Sequence, residues 1–219
     1  MPLILSSNPR EWLNVDHYKA LKTQHELVDE WEPTREVFPL KYGDYMVAMC
    51  AGISGVSINS IFRKKMKLQQ KGAVFTTFFL TLGPAFVAYI CHREYVTNKI
   101  LLYQARCSLC EELKAVSMIS ATGFVYPMIV SSAINLAIAG NMGYRIPYIY
   151  EVRELATFFW SVLKPQSRVL AVLLLGNALI ASTVTYKQLR SMQLVSDILI
   201  KVQPYLEDEK DDKQNMGMS

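Results

Sequence analysis

Charge is missing from four long stretches of this sequence. Asp, Glu, Lys, Arg and His are all absent from Tyr45–Phe62, Gly72–Cys91, Ala115–Tyr144 and Val169–Tyr186, which run for 18, 20, 30 and 18 residues. A surface helix of a soluble protein keeps a charged face along its whole length, so this absence excludes four ordinary amphipathic helices. A hydrocarbon core of about 30 Å takes roughly 20 apolar residues as a helix. The runs therefore read as membrane spans at 45–62, 72–91, 115–140 and 169–186.

Catalytic signatures are missing as well. The sequence has no GxGxxG, no phosphate-binding P-loop, no nucleophile elbow and no HExxH. His17, His25 and His92 have no visible triad partner and no ligand spacing. Zinc would need four ligands, and two of the four cysteines, Cys50 and Cys91, lie within or at the edge of spans. No charge falls inside a span, which removes the usual mark of a transport path or proton relay. The expectation is a protein that is not an enzyme, with no cofactor and no metal. Nucleic-acid binding is not expected either, because the one basic cluster is short and abuts a span. Residues 1–44 carry eight acidic and five basic side chains, the wrong balance for an Arg-rich presequence. The spans are expected to carry the targeting information.

What is present is organised around the spans. The first ends in Phe62, and Arg63, Lys64, Lys65 and Lys67 follow as a basic collar. Within it Ala48, Gly52, Gly55 and Asn59 recur at steps of four, three and four. That spacing makes one face of small residues, which lets a neighbouring backbone come close. The neighbour can be internal or another protein, and spacing alone does not choose. Asn59, Asn135 and Asn177 would be costly against lipid, so each is expected to turn inward and hydrogen-bond across the bundle. A polar substrate site is the other use for them. Cys107-Ser108-Leu109-Cys110 lies between spans two and three. A disulfide and two unlinked thiols are both open for Cys107 and Cys110.

Three segments result. Residues 1–44 are a lead with an amphipathic helix, opened by Asn8-Pro9-Arg10-Glu11 and continued by Leu13, Ala20, Leu21, Leu27, Val28 and Trp31. That helix reads as a surface helix, or as one docked on a partner or on the membrane. Pro33 and Pro39 are expected to break the pattern before span one. Residues 45–187 are the membrane domain, with kinks predicted at Gly83-Pro84 and Tyr126-Pro127. Its third loop is rich in Tyr, Phe and Trp and is expected to hold a short helix in the interface. Residues 188–219 begin with a stripe of Leu189, Met192, Val195, Ile198, Leu199 and Val202. Pro204 should stop that helix before an acidic, disordered tail. Loops one and three hold nine Lys/Arg in 33 residues against two acids. The positive-inside rule puts them on the side of synthesis or in the matrix, with the termini and loop two opposite. The fold class is all-α: a polytopic membrane protein of four transmembrane helices with amphipathic helical flanks.

These elements resemble the transmembrane protein 126 family. The resemblance rests on Gly55 with Ile58-Asn59-Ser60-Ile61-Phe62-Arg63-Lys64, on Cys107-x-x-Cys110, and on Gly123-x-x-Tyr126-Pro127. Lys164-Pro165 before span four and Tyr186-Lys187 after it follow in the same order. The match covers about residues 40–200. It implies a multi-pass protein of the mitochondrial inner membrane, in which the positive-inside rule would put the termini and loop two toward the intermembrane space. It also implies an assembly factor or scaffold for respiratory complex I, whose partners are membrane lipid, membrane-arm subunits and other assembly factors. It brings no catalytic residues. A different class, a small-solute carrier using the kinked spans and the three Asn, is the alternative.

Overall fold

The computed structural model describes residues 17–66, 68, 72–105, 107–141 and 152–216, and among them there is no strand. Helix α1 covers His17–Glu30 and α2 Thr34–Lys65. Helix α3 is continuous over Ala73–Leu101 and α4 over Ser108–Asn141. Helix α5 is Val152–Leu163, and α6 is Ser167–Met216. Four of these, α2, α3, α4 and α6, are long and apolar enough to cross a membrane.

Each spanning helix extends past its charge-free stretch at one end or both. Pro39 does not break the chain: α2 starts at Thr34, directly after Pro33, and runs through Pro39. At the sixth helical position Pro39 forfeits the bond to the Arg35 carbonyl, and the bonds of the surrounding turns carry the helix through. Pro204 does not end α6 either, which stays helical to Met216. The predicted opening at Asn8 lies outside the described residues, as do Lys67 and the tyrosines of loop three. A short helix does occur in loop three, α5, whose Phe159 ring meets Phe62 edge-on at 6.2 Å.

Two turns of π-helix interrupt the long helices. One, Ala121–Val125, comes immediately before Tyr126-Pro127. Pro127 has no N–H to donate, and a widened turn just ahead absorbs that loss. The other, Arg93–Thr97, follows His92 in α3.

Helix α2 is central, and apolar and polar layers alternate along it. Val37 and Leu40 join Val28 of α1, Val96 and Ile100 of α3, and Met192 and Val195 of α6 in one apolar cluster. Leu189 and Leu199 pack against the same cluster. Helix α1 and the first part of the tail stripe therefore bury their apolar faces against this bundle, while Val202 is exposed. Val47 and Ala51 form a middle cluster with Ala88, Ile119 and Ala181. Ile58 and Phe62 form the third with Val162 and Leu170.

The small-residue face turns inward, against α3. A Cβ on Gly52 would stand 3.1 Å from the Thr81 carbonyl oxygen, and one on Gly55 would collide with the carbonyl of Leu80. Gly123 does the same from α4, where a Cβ would be 3.2 Å from Ala51 Cα. Gly176 has nothing within 4 Å. Replacing Gly55 by Ala should therefore cost about 2 kcal/mol of stability through overpacking. Gly52→Ala should cost less, and Gly176→Ala should be neutral or gain up to about 1 kcal/mol. Unfolding in mixed micelles, followed by helical circular dichroism, checks that order.

Candidate functional site: the polar interior and the outward faces

Two polar layers lie inside the bundle. The first is built on Asn59, as its spacing on the small face suggests. Asn135 Nδ2 donates to Asn59 Oδ1 at 2.9 Å and to the Ser131 carbonyl at 2.8 Å. The Asn59 amide in turn faces Thr76 Oγ1 at 3.4 Å. Arg63 Nη1 donates to the same hydroxyl at 3.1 Å. Asn177 Nδ2 donates to Ser54 Oγ at 2.8 Å. All three asparagines are buried, and each reaches another helix. In the hydrocarbon region a polar group without a protein partner is costly, so these contacts fix which helices are neighbours.

Arg63 departs from the basic collar. Lys64 and Lys65 are exposed, but the Arg63 side chain is buried and turned toward Thr76 of α3. Its place in the helix explains this: Arg63 follows Asn59 by one turn on the inward face.

The second polar layer was not legible as a site. Asp44 Oδ1 accepts from His92 Nδ1 at 2.7 Å and from Thr97 Oγ1 at 2.6 Å. His92 Nε2 lies 3.4 Å from Thr185 Oγ1, and Gln188 Nε2 donates to Thr97 Oγ1 at 3.1 Å. His92, Thr97, Thr185 and Gln188 are fully buried. His92 thus has partners that spacing did not reveal. The π-turn at Arg93–Thr97 is the reason. Residues five apart diverge around an α-helix, but the wider turn brings His92 and Thr97 to one carboxyl group. The available signal was weak: Asp44 precedes the first charge-free run by one residue, and His92 follows the second by one.

Loop two holds free thiols. Cys107 has an extended backbone at the N-terminus of α4, and its sulfur accepts the Cys110 N–H at 3.3 Å. The pair is unlinked, and the Cys107 sulfur serves as the helix cap. The Cys110 thiol also donates to that sulfur, which holds the Cys107 thiol below its usual range.

Two grooves open on the outside. The smaller, about 470 Å³, is lined by Ser57, Ser60, Lys64 and Lys65 among others, and the larger, about 640 Å³, lies between α2 and α6. Neither is lined by Asn59, Asn135 or Asn177. The outward face of α3 is aromatic, with Phe75, Phe78 and Phe86 each about two-thirds exposed.

Two measurements check this interior. Asp44→Leu alone should cost roughly 3 kcal/mol, since it leaves His92 and Thr97 buried without their acceptor. Adding His92→Leu should recover much of that loss, and a double-mutant cycle reads the coupling. For the thiols, the alkylation rate of Cys107 should reach its thiolate plateau at lower pH than an unperturbed cysteine. Cys110→Ala should move that midpoint upward.

Comparison with known proteins gives a consistent result. The sequence profile of the family described as Transmembrane protein 126 matches residues 19–202. A curated relative named Transmembrane protein 126, from Drosophila melanogaster, is 27% identical over 154 residues, covering 69% of each chain. No solved structure matches.

Proposed function

The chain belongs to the transmembrane protein 126 family, and from that premise we propose that it is a non-enzymatic assembly factor for mitochondrial respiratory complex I. It would hold membrane-arm intermediates in the inner membrane until the next part joins. The observation that carries this reading is the family match across residues 19–202. The interior supports it in kind. The buried asparagines are committed to contacts between helices, and none lines either of these two grooves. What remains for interaction is the exterior, above all the Phe75–Phe86 face of α3. Such a face packs on lipid when the protein is alone and on a partner helix when one arrives. The partners in this reading are complex I membrane-arm subunits and other assembly factors. Loops one and three face the matrix, and the termini and loop two face the intermembrane space.

Depletion tests the role. The amount of mature complex I should fall and stalled membrane intermediates should accumulate on native gels. Activity per assembled complex should stay near normal, because an assembly factor is absent from each turnover. Phe75→Ser with Phe78→Ser should reproduce the loss if the α3 face is the contact. Normal complex I abundance together with a lost solute flux would establish the carrier instead.

A further inference from the structure

The larger groove has features that helix packing does not use. Helices α2 and α6 are antiparallel where it forms: Ser54 meets Asn177, and Gly43 meets Val184 and Gln188. The groove therefore runs along the helix axes, roughly along the membrane normal. Gly43 sets its floor. A Cβ there would lie 2.7 Å from Gln188 Nε2 and 2.8 Å from Val184 Cγ1, so these side chains pack directly onto the glycine and form the floor with it. Its apolar walls are Phe38, Met46, Leu179, Ile180 and Val184. Leu179 is 67% exposed and Met46 46%, so the groove opens sideways toward lipid.

Two cations stand at its outer end. Lys187 is the first charge after the Val169–Tyr186 run, where α6 leaves the hydrocarbon. Arg35 lies eight residues before Gly43, about 12 Å farther out along the helix, and a long side chain can reach back along an apolar surface. Both line the groove, and no Asp or Glu does. Lys41 nearby is paired with Asp29 at 3.3 Å, whereas Arg35 and Lys187 have no carboxylate partner among the described residues. An apolar trough that opens to the bilayer and ends at two unneutralised cations in the headgroup layer is complementary to a lipid with a negative headgroup.

We propose that this groove seats one anionic phospholipid, with its phosphate between Arg35 and Lys187 and an acyl chain along Phe38, Met46 and Leu179. The volume lies within the range of small-ligand sites, roughly 300–1,000 Å³. A soluble anion would leave the apolar trough unused. An extended polypeptide would bring backbone groups that these walls cannot satisfy. The inference is independent of the assembly role.

The test uses the full chain in detergent micelles with added phosphatidylglycerol or phosphatidylcholine of matched chains, and native mass spectrometry counts retained lipid. Each basic side chain near a charged lipid surface adds a modest preference, and two together give roughly thirty-fold. The wild-type chain should retain phosphatidylglycerol over phosphatidylcholine by about that factor. Arg35→Gln with Lys187→Gln should abolish the preference. Thr183→Trp, which fills the groove and keeps both cations, should expel the lipid. Circular dichroism confirms that each variant is folded. Arg190→Gln with Lys201→Gln removes the same charge elsewhere on α6 and should leave retention intact.

Several results would overturn the proposal. They are equal retention of the two lipids by the wild-type chain, undiminished phosphatidylglycerol on the Arg35/Lys187 variant, or an equal loss in the Arg190/Lys201 control. Displacement of the lipid by millimolar inorganic phosphate would make this an anion site rather than a lipid seat. A benzophenone crosslinker at Thr183 that captures polypeptide instead of lipid would assign the groove to a protein.

Discussion

The contact of Gly55 with the carbonyl of Leu80 sets the geometry on which the rest of the bundle depends. Hydrophobic burial does little to hold helices together in lipid, because the tails are as apolar as leucine. Close backbone approach and cross-helix hydrogen bonds must do it instead. The glycines let α3 lie directly on α2. That places Thr76 within reach of both Asn59 and Arg63, and Asn59 then accepts from Asn135 of α4. Through Ser54, α2 also accepts from Asn177 of α6. One helix thus contacts the other three spans by a polar bond as well as by packing.

The parts of this arrangement that were legible follow from composition. A charge-free run of 18 or more residues has one common explanation, and small residues at helical steps have few. The inward asparagines follow from the cost of facing lipid. The parts that were not legible depend on the path of the backbone. Asp44 and His92 lie outside the runs by one residue each, and only a π-turn brings His92 and Thr97 to the same oxygen. Nothing in residue spacing announces a change from 3.6 to a wider turn. Pro39 and Pro204 were read as stops because proline usually interrupts a helix, yet both lie within helices whose other bonds carry them. Arg63 was read as part of a solvated collar, since sequence order cannot show that the fourth residue after Asn59 points at Thr76.

The division between interior and exterior bears on what this molecule can do. The asparagines are engaged between helices, and the grooves lie elsewhere, on the outer surface. The outer surface is where apolar and aromatic side chains are exposed and where the flanking cations stand. The lead helix and the first part of the tail also turn their apolar faces inward, to one shared cluster. They brace one end of the spans, and the flank of α3 is left as an exposed aromatic face.

The unbroken course of α6 has a mechanical consequence. Its 50 residues amount to about 75 Å of helix, more than twice the hydrocarbon thickness. The acidic run Glu207–Asp212 begins 20 residues after Lys187, or about 30 Å along the axis. That distance exceeds the screening length of roughly 8 Å at physiological salt several times over. The field of the membrane surface is therefore screened out over that length of helix. A continuous helix of this length is also a lever arm. A tilt of the span by a few degrees moves the tip by several ångströms, and a push at the tip returns as torque on the layer that holds Asn177.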